Sequence, residues 1–346
     1  MSGLSKKIIA IALGLLLIAF TAFYVIHASN RINFDPETVG ATAGNLYNDG
    51  LFCESDGKVY FSNSYDEGCL YVMNSDQTEL KKLYNLHASF INAAGNFVFF
   101  YGKIIPQSQG LGTVVSKPGM YMIRNNGKQL QALTKDGSQC MLLVGNYVYY
   151  QHYTQKEGAD FERINLKKKE SEPCLDFFIT PASYYEGKIY YNGQYEDHHL
   201  YTYDINTGEV QDIWGGDIWN PIREGNYIYY MDVLHNYRLC RYSLSANQIE
   251  ILTNDRIDFF NVYNNLIFYQ KSSSSDPQLK RMNLDGSAVE TIAYGTFNSI
   301  NITSQYTYFK EFGNETTTYY TPTYGSVDVR EFTAARDAAI ANLKKR

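Results

Sequence analysis

The most regular hydrophobic pattern in the chain is a three-residue phrase, in which a branched apolar residue precedes two aromatic residues. The phrase recurs at residues 59–61, 98–100, 148–150, 189–191, 228–230, 267–269 and 307–309. The last copy is the weakest, because Thr307 replaces the branched apolar residue. Successive copies begin 39, 50, 41, 39, 39 and 40 residues apart. A near-constant period of this length predicts a repeat architecture in which every repeat supplies the same strand.

Each repeat reads as four strands. A tight turn precedes the phrase, as at 56–57, 145–146 and 225–226, and most of its residues tolerate the positive φ of a two-residue hairpin. A third and a fourth strand follow, separated by polar turns such as 206–208. The phrase itself does not alternate apolar and polar residues, as expected of strands covered on both faces. Four antiparallel strands every ~40 residues are typical of a β-propeller blade.

The repeats occupy most of the chain, as units at 51–83, 89–133, 139–174, 179–213, 217–252, 257–292 and 297–332. The sequence therefore predicts an all-β fold, a seven-bladed β-propeller of four-stranded antiparallel blades over residues 51–332, with six or eight blades as alternatives. A strand contributed to the last blade by the N-terminal stretch would lock the sheet edges together. Residues 333–346 have apolar positions at helical spacing and predict a short helix packed on the propeller.

The N-terminal residues have a different pattern. Lys6 and Lys7 precede residues 8–26, a stretch of 19 uncharged residues that is long enough to cross a bilayer as a helix. The two lysines favour a cytoplasmic N-terminus. A cleavable signal peptide is the alternative, but residues 26–28 match an A-x-A site poorly. We expect residues 1–28 to be a cytoplasmic stub and an uncleaved transmembrane signal anchor, in the cell membrane through residues 8–27.

The single-pass anchor would leave the propeller outside the cell. Residues 29–50 are rich in Asn, Pro, Gly and Thr without a clear period, and we expect a tether there. Its last residues, 44–50, could already pack on the first repeat.

Composition narrows the function classes. The net charge of −6 argues against a nucleic-acid partner, since phosphate binding needs a basic face. The 32 tyrosines suit half-buried sheets whose rims reach water. The five cysteines lack a metal-ligand spacing, so we expect mostly buried thiols. A Cys53–Cys69 disulfide is the alternative, although the two residues fall on strands that should not be adjacent.

Residues 42–48, 50–54, 56–63 and 70–74 together carry a resemblance. They resemble a family of exported Gram-positive bacterial proteins with a tyrosine-rich propeller domain of unknown function, similar to the YWTD propellers of lipoprotein-receptor ectodomains. The resemblance covers about residues 40–330 and implies a propeller fold, but it supplies no catalytic residues. The literal YWTD string is absent, because the second strands read VYF, VYY or IYY and lack the acidic residue.

Candidate chemistry is confined to the loops, because the chain has no nucleophile elbow, Walker motif or H-E-x-x-H. The long loop at 102–119 could be a functional lid or a tolerated insertion. A metal site at 196–199 is disfavoured, because neighbouring strand residues point to opposite faces. Aromatic side chains beside glycines at 214–219 could stack on a sugar or peptide, or pack between blades. The candidate ligand contacts are Trp214, Trp219, Tyr65, His152, Tyr195 and Tyr237.

These observations favour a non-catalytic function. The leading hypothesis is a membrane-anchored extracytoplasmic propeller that acts as a binding or sensor module for a cell-wall glycan, a peptide or a protein partner. One alternative is an extracytoplasmic glycan hydrolase or lyase that works in the propeller channel. Another is a structural component of an envelope complex. The sequence predicts no catalytic residue, no metal ligand and no cofactor.

Overall fold

The computed structural model describes residues 13–21, 32–103, 118–156, 158–195 and 197–344. Residues 13–21 are helical, and the rest of the predicted anchor over 8–26 lies outside the described residues. Within the described ranges, no helix has both the length and the apolar character needed to cross a membrane. Most of the long loop at 102–119, namely residues 104–117, also lies outside them.

The fold is all-β, and its five sheets consist of antiparallel neighbours in chain order. The first sheet contains β1 (Phe52–Ser55), β2 (Lys58–Asn63), β3 (Cys69–Asn74), β4 (Lys81–Ala94), β5 (Phe97–Lys103), β6 (Gly119–Arg124) and β7 (Gln131–Ala132). The second contains β8 (Met141–Val144), β9 (Tyr147–Thr154), β10 (Gly158–Asn165) and β11 (Glu170–Leu175). The third contains β12 (Ser183–Tyr185), β13 (Lys188–Asn192), β14 (Leu200–Asp204) and β15 (Val210–Trp214).

The remaining strands follow the same order. The fourth sheet contains β16 (Ile218–Glu224), β17 (Tyr227–Asp232), β18 (Arg238–Ser243), β19 (Gln248–Tyr263), β20 (Leu266–Lys271), β21 (Gln278–Asn283) and β22 (Glu290–Tyr294). The fifth contains β23 (Phe297–Ile302), β24 (Tyr306–Glu311), β25 (Tyr319–Pro322) and β26 (Arg330–Glu331). Helices α1 and α2 span Ala43–Tyr47 and Thr333–Leu343, and short 3-10 turns lie at Ser64–Asp66 and Val233–His235.

Two sheets have seven strands because one long strand serves two units. β4 pairs with β3 through its first part and with β5 through its second part, and β19 does the same with β18 and β20. Read this way, the strands group in fours, as units 1 to 7: β1–β4, β4–β7, β8–β11, β12–β15, β16–β19, β19–β22 and β23–β26.

The aromatic phrase lies on the second strand of every unit, and each of its residues is at most 9% exposed. The hydrophobic clusters explain this burial, because each cluster joins two consecutive units. A further cluster joins unit 7 to unit 1, where Tyr308 meets Phe61. Face-to-face packing therefore covers both sides of the second strands and closes the units into a ring, as in a β-propeller.

Among the described residues, no strand of the N-terminal stretch joins the last sheet, which is the arrangement that would have locked the sheet edges together. That sheet consists of β23–β26 alone. Packing closes the ring instead: the Phe52 ring stacks on the Tyr308 ring at 4.0 Å between centroids. α2 lies against unit 1, where the Asn63 amide donates a hydrogen bond to the Ala335 carbonyl at 2.9 Å.

Residues 39–50, which we call the channel segment, run through the middle of the ring. They belong to the stretch expected to be a tether, and they are an internal part of the fold. Gly40 donates its N–H to the Leu143 carbonyl of unit 3, and its own carbonyl accepts from Ala93 of unit 2, both at 2.9 Å. α1 contacts the first strands β12 and β16 of units 4 and 5.

Two asparagine side chains attach the channel segment to the other units. The Asn45 amide donates to the carbonyls of Phe52 in unit 1, at 3.1 Å, and of Ile302 in unit 7, at 2.9 Å. The Asn48 amide donates to the Phe260 carbonyl of unit 6 at 2.8 Å. The segment thus contacts the first strand of every unit. Its polar composition, which suggested a linker, satisfies backbone groups that the ring leaves unpaired at its centre.

The cysteines form no disulfide. Cys53 lies on β1 and Cys69 on β3, with β2 between them, so the disulfide alternative is not realised. The Cys53 Sγ instead donates to the Gly40 carbonyl of the channel segment at 3.0 Å.

Candidate functional site

The propeller presents two distinct ends. The connection face carries the links between second and third strands and between consecutive units, and the turn face carries the hairpin turns between first and second strands. The channel segment separates them: Val39 bridges to Val144 near the turn face, and Gly50 accepts from Ile91 near the connection face. Each end is therefore a separate surface for ligands.

All six candidate ligand contacts predicted from the sequence lie at the connection face, but they do not converge on one pocket. Trp214 stacks on Tyr242, with ring centroids 4.3 Å apart, and packs between units 4 and 5. Trp219 meets His198 edge to face at 5.8 Å. Both indoles are only partly exposed, and each contacts an aromatic ring of the neighbouring unit.

The tyrosines among the six differ in exposure. The Tyr65 hydroxyl donates to Glu331 at 3.0 Å and accepts from the Thr318 N–H at 3.3 Å. These two hydrogen bonds join unit 1 to unit 7. Tyr237 lies under the Arg256 guanidinium, 5.2 Å from ring centre to Cζ. Tyr195 is 64% exposed and is the one predicted contact that a ligand at this face could cover widely.

His152, the remaining candidate, is buried in a polar cluster between units 2 and 3. Its Nδ1 lies 2.8 Å from Asp160 and 3.5 Å from Glu162, and its Nε2 lies 3.7 Å from Asp136. His152, Asp160 and Glu162 could hold a metal ion by their spacing. Tyr150 already donates to Glu162, however, and burial raises the pKa of that phenol. The polar groups of this cluster therefore already have partners within it.

The histidines of the 196–199 stretch go to different partners. The His198 Nδ1 lies 3.0 Å from the Gly193 carbonyl, whereas the His199 Nδ1 lies 3.0 Å from the Asp212 carboxylate. The hydrogen bond that His199 donates to Asp212 raises the pKa of His199. Asp197 accepts from the Tyr201 hydroxyl at 3.0 Å, and Glu196 lies outside the described residues.

The connection face also carries large exposed apolar side chains, of which the sequence analysis singled out Tyr195 alone. Five of them are 56–77% exposed: Tyr153, Tyr195, Leu234, Tyr294 and Phe312. They come from units 3, 4, 5, 6 and 7, so they surround most of the ring. Exposed aromatic and aliphatic groups gathered at one end of a protein are typical of interaction surfaces. Their signal in the sequence was an apolar residue inside a polar connection, as at Leu234 and Phe312.

The turn face holds a cavity of about 630 Å³ at the end of the channel. Channel-segment residues 39–43 line it, together with residues from the first strands and hairpin turns of several units. The polar and aromatic groups that line it include Glu54, Tyr184, Tyr185, Arg223, Glu224 and Tyr263. Burial raises the pKa of Tyr184 to about 12 and raises the pKa of Glu224. No local pattern in the sequence predicts this cavity, because its lining residues are far apart in the chain.

No protein-family model matches the chain, and no curated protein sequence matches it. Solved structures do match. A prolyl endopeptidase superposes with a TM-score of 0.58 at 10% identity, over 84% of this chain and 50% of that one. A puromycin hydrolase gives 0.54 at 8% identity, over 88% and 55% of the two chains.

A puromycin-hydrolysing peptidase of Mycobacterium tuberculosis gives a TM-score of 0.52 at 12% identity, over 78% of this chain and 49% of that one. The chain thus spans about half the length of these solved structures. At such low identity the similarity concerns the fold alone. Together with the ring of antiparallel sheets, it shows that this chain has a β-propeller fold.

Proposed function

We propose that this protein is a non-catalytic binding or sensor module that holds a glycan, peptide or protein partner on its connection face. The observation that carries the proposal is the set of five exposed apolar side chains at that end, contributed by five consecutive units. Aromatic anchors of this kind supply much of the binding energy at protein surfaces. The five are Tyr153, Tyr195, Leu234, Tyr294 and Phe312.

A binding screen of the full chain against wall glycans and peptides tests this proposal. A triple variant, Tyr195→Ala with Leu234→Ala and Phe312→Ala, should weaken binding by at least about tenfold. The matched control replaces Ile249, Ile251 and Val289 by alanine, because these side chains are 50–52% exposed away from the connection face. Equal binding by both variants would contradict the proposed surface, and turnover of a wall polymer would contradict a non-catalytic function.

The alternative of a glycan hydrolase or lyase needs a channel open to substrate. The channel segment occupies that space with buried residues such as Asn45 and Leu46, each 2% exposed. This packing favours binding at a surface over catalysis inside the ring. A structural role in an envelope complex would use the same connection face.

The number of blades is also part of this proposal. Each four-strand unit would be one blade of a seven-bladed propeller, supported by a hydrophobic cluster between every pair of neighbours. Export from a Gram-positive bacterium and kinship with YWTD-type propellers are proposed on the sequence resemblance.

Anchoring in the cell membrane is supported by Lys6, Lys7 and the uncharged stretch at 8–26. The full chain should then stay with membranes after alkaline carbonate extraction, and added protease should reach the propeller on intact cells lacking a wall. Release of the uncleaved chain by carbonate would contradict anchoring.

A further inference from the structure

Arg223 lines the turn-face cavity, and its guanidinium has few hydrogen-bond partners. It lies on β16, the first strand of unit 5, and its Cζ is 4.7 Å from the Tyr185 ring centre and 5.5 Å from that of Tyr190. Its Nε and Nη1 are enclosed and have no hydrogen-bond partner. Within the part of the chain that the structure describes, no acidic side chain forms an ion pair with it. A half-buried guanidinium without an acceptor is costly.

Two other arginines of the fold combine a tyrosine-ring contact with a carboxylate partner, which Arg223 lacks. Arg163 and Arg241 also lie over tyrosine rings, at 4.5 Å and 4.3 Å. Each of them has a carboxylate partner as well: Glu172 at 2.8 Å from Arg163, and Glu250 at 2.6 Å from Arg241. The ring contact therefore accompanies an ion pair in those two sites. At Arg223 the ring contact is present, but no carboxylate among the described residues lies within ion-pair distance.

The rest of the cavity carries the opposite charge. Glu54 and Asp56 reach it from unit 1, and Glu224 reaches it from unit 5. The Glu54 carboxylate is fixed in place, because it accepts hydrogen bonds from the Ser304 N–H at 2.6 Å and the Ser304 hydroxyl at 2.7 Å. A ligand that was purely anionic would be repelled by these carboxylates, and a purely cationic one would leave Arg223 unpaired.

We propose that the turn-face cavity binds a small zwitterion of the amino-acid or short-peptide class, whose carboxylate pairs with Arg223 and whose ammonium faces Glu54, Asp56 and Glu224. The volume of about 630 Å³ is in the range of small-molecule sites and would hold a short peptide. The Arg223 Nη2 is not among the enclosed atoms, so it can donate a charged hydrogen bond to the ligand carboxylate. This site is separate from the connection face, and its ligand is additional to the partner proposed there.

Calorimetric titration of the full chain with four alanine dipeptide probes tests the charge pattern. The probes are alanyl-alanine, its N-acetyl form, its C-terminal amide, and the form capped at both ends. Alanyl-alanine should bind, and removing either charge should weaken binding by at least about tenfold, as expected for a charged hydrogen bond. Equal binding of all four probes, or no binding of alanyl-alanine, would overturn the proposal.

Two variants locate the site. Arg223→Gln should weaken alanyl-alanine binding by at least about tenfold, because the carboxylate loses its partner. Arg330→Gln is the matched control, because Arg330 is exposed and pairs with Asp328 away from the cavity. Unchanged binding by Arg223→Gln would overturn the proposed site. If that variant does not fold, the capped probes still test the proposal on the unaltered chain, because each of them removes the ammonium charge, the carboxylate charge or both.

Discussion

Asn45 and Ile302, 257 residues apart in the chain, exchange two hydrogen bonds at the centre of the ring. The Asn45 amide donates to the Ile302 carbonyl at 2.9 Å, and its side-chain oxygen accepts from the Ile302 N–H at 2.7 Å. The pair joins the channel segment to the last unit, where no strand is shared.

Asn45→Ala should therefore destabilise the protein strongly. It leaves the buried N–H of Ile302 and the carbonyls of Ile302 and Phe52 without their partner, which costs about 2–4 kcal/mol in unfolding free energy. Urea unfolding followed by tyrosine fluorescence measures this. The control is Asn33→Ala, an exposed asparagine bonded to Lys167, with an expected change within about 0.5 kcal/mol. Similar losses for the two variants would contradict an anchoring role for Asn45.

The stacked pair Phe52 and Tyr308 should be a second site of large loss. Their rings are parallel within 6° at 4.0 Å and join unit 1 to unit 7. Phe52→Ala should cost about 3–5 kcal/mol in unfolding free energy, because it opens a cavity in a core. A double-mutant cycle with Tyr308→Ala should give a coupling of about 0.5–1.5 kcal/mol. Strictly additive losses of unfolding free energy would show that the Phe52 and Tyr308 side chains do not act together in joining unit 1 to unit 7.

His87 and His199 should titrate on opposite sides of the ordinary histidine pKa of 6.5. Burial, assisted by Lys103 and Lys310, lowers the pKa of His87, whereas the hydrogen bond with Asp212 raises the pKa of His199. NMR titration of the histidine ring protons measures both. Asp212→Asn should bring the His199 pKa down and leave His87 unchanged; a fixed His199 pKa would rule out the Asp212 contact in solution.

The same shifts fix the pH dependence of stability. The His87 pKa is lower in the folded than in the unfolded chain, so its contribution to stability is lost as the pH falls below 6.5 toward the folded value. The His199 pKa is higher in the folded chain, so its contribution is fully present below 6.5 and is lost as the pH rises through the folded value.

The buried cysteines should react slowly in the native protein. Burial raises the pKa of Cys53 to about 12 and of Cys240 to about 11, and it also raises the pKa of Cys140. The thiolate, which is the reactive species, is therefore scarce near neutral pH. Alkylation with iodoacetamide at pH 8, read by peptide mass spectrometry, should modify these residues only after unfolding in urea. Rapid native labelling of Cys53 would contradict its contact with the channel segment.

The strand framework was predictable from the sequence because its signal is local and repeated. The aromatic phrase predicts a strand that is covered on both faces, and Tyr149 and Phe268 are indeed buried. The C-terminal helix was predictable for the same reason, since its apolar spacing lies within one short stretch.

The channel segment and the cavity were not predictable in this way. Asn45 and Asn48 look like linker residues in the sequence, and their partners Ile302 and Phe260 are more than 200 residues away. In the sequence Arg223 is an ordinary charged residue on a strand. Only the fold brings it into contact with the rings of Tyr185 and Tyr190. Properties that depend on which distant groups meet at the centre of a ring leave no periodic trace in the chain.

The route of the channel segment also governs how the domain bears mechanical load. Tension applied to the chain before Val39 reaches the centre of the ring through Gly40, Asn45 and Asn48, whose hydrogen bonds attach to strands of several units at once. The load is shared among those units, whereas a pull on an edge strand would peel one sheet. Extraction of the segment would require many bonds to break together. We therefore expect the domain to resist tension from its N-terminal side as a fixed attachment point.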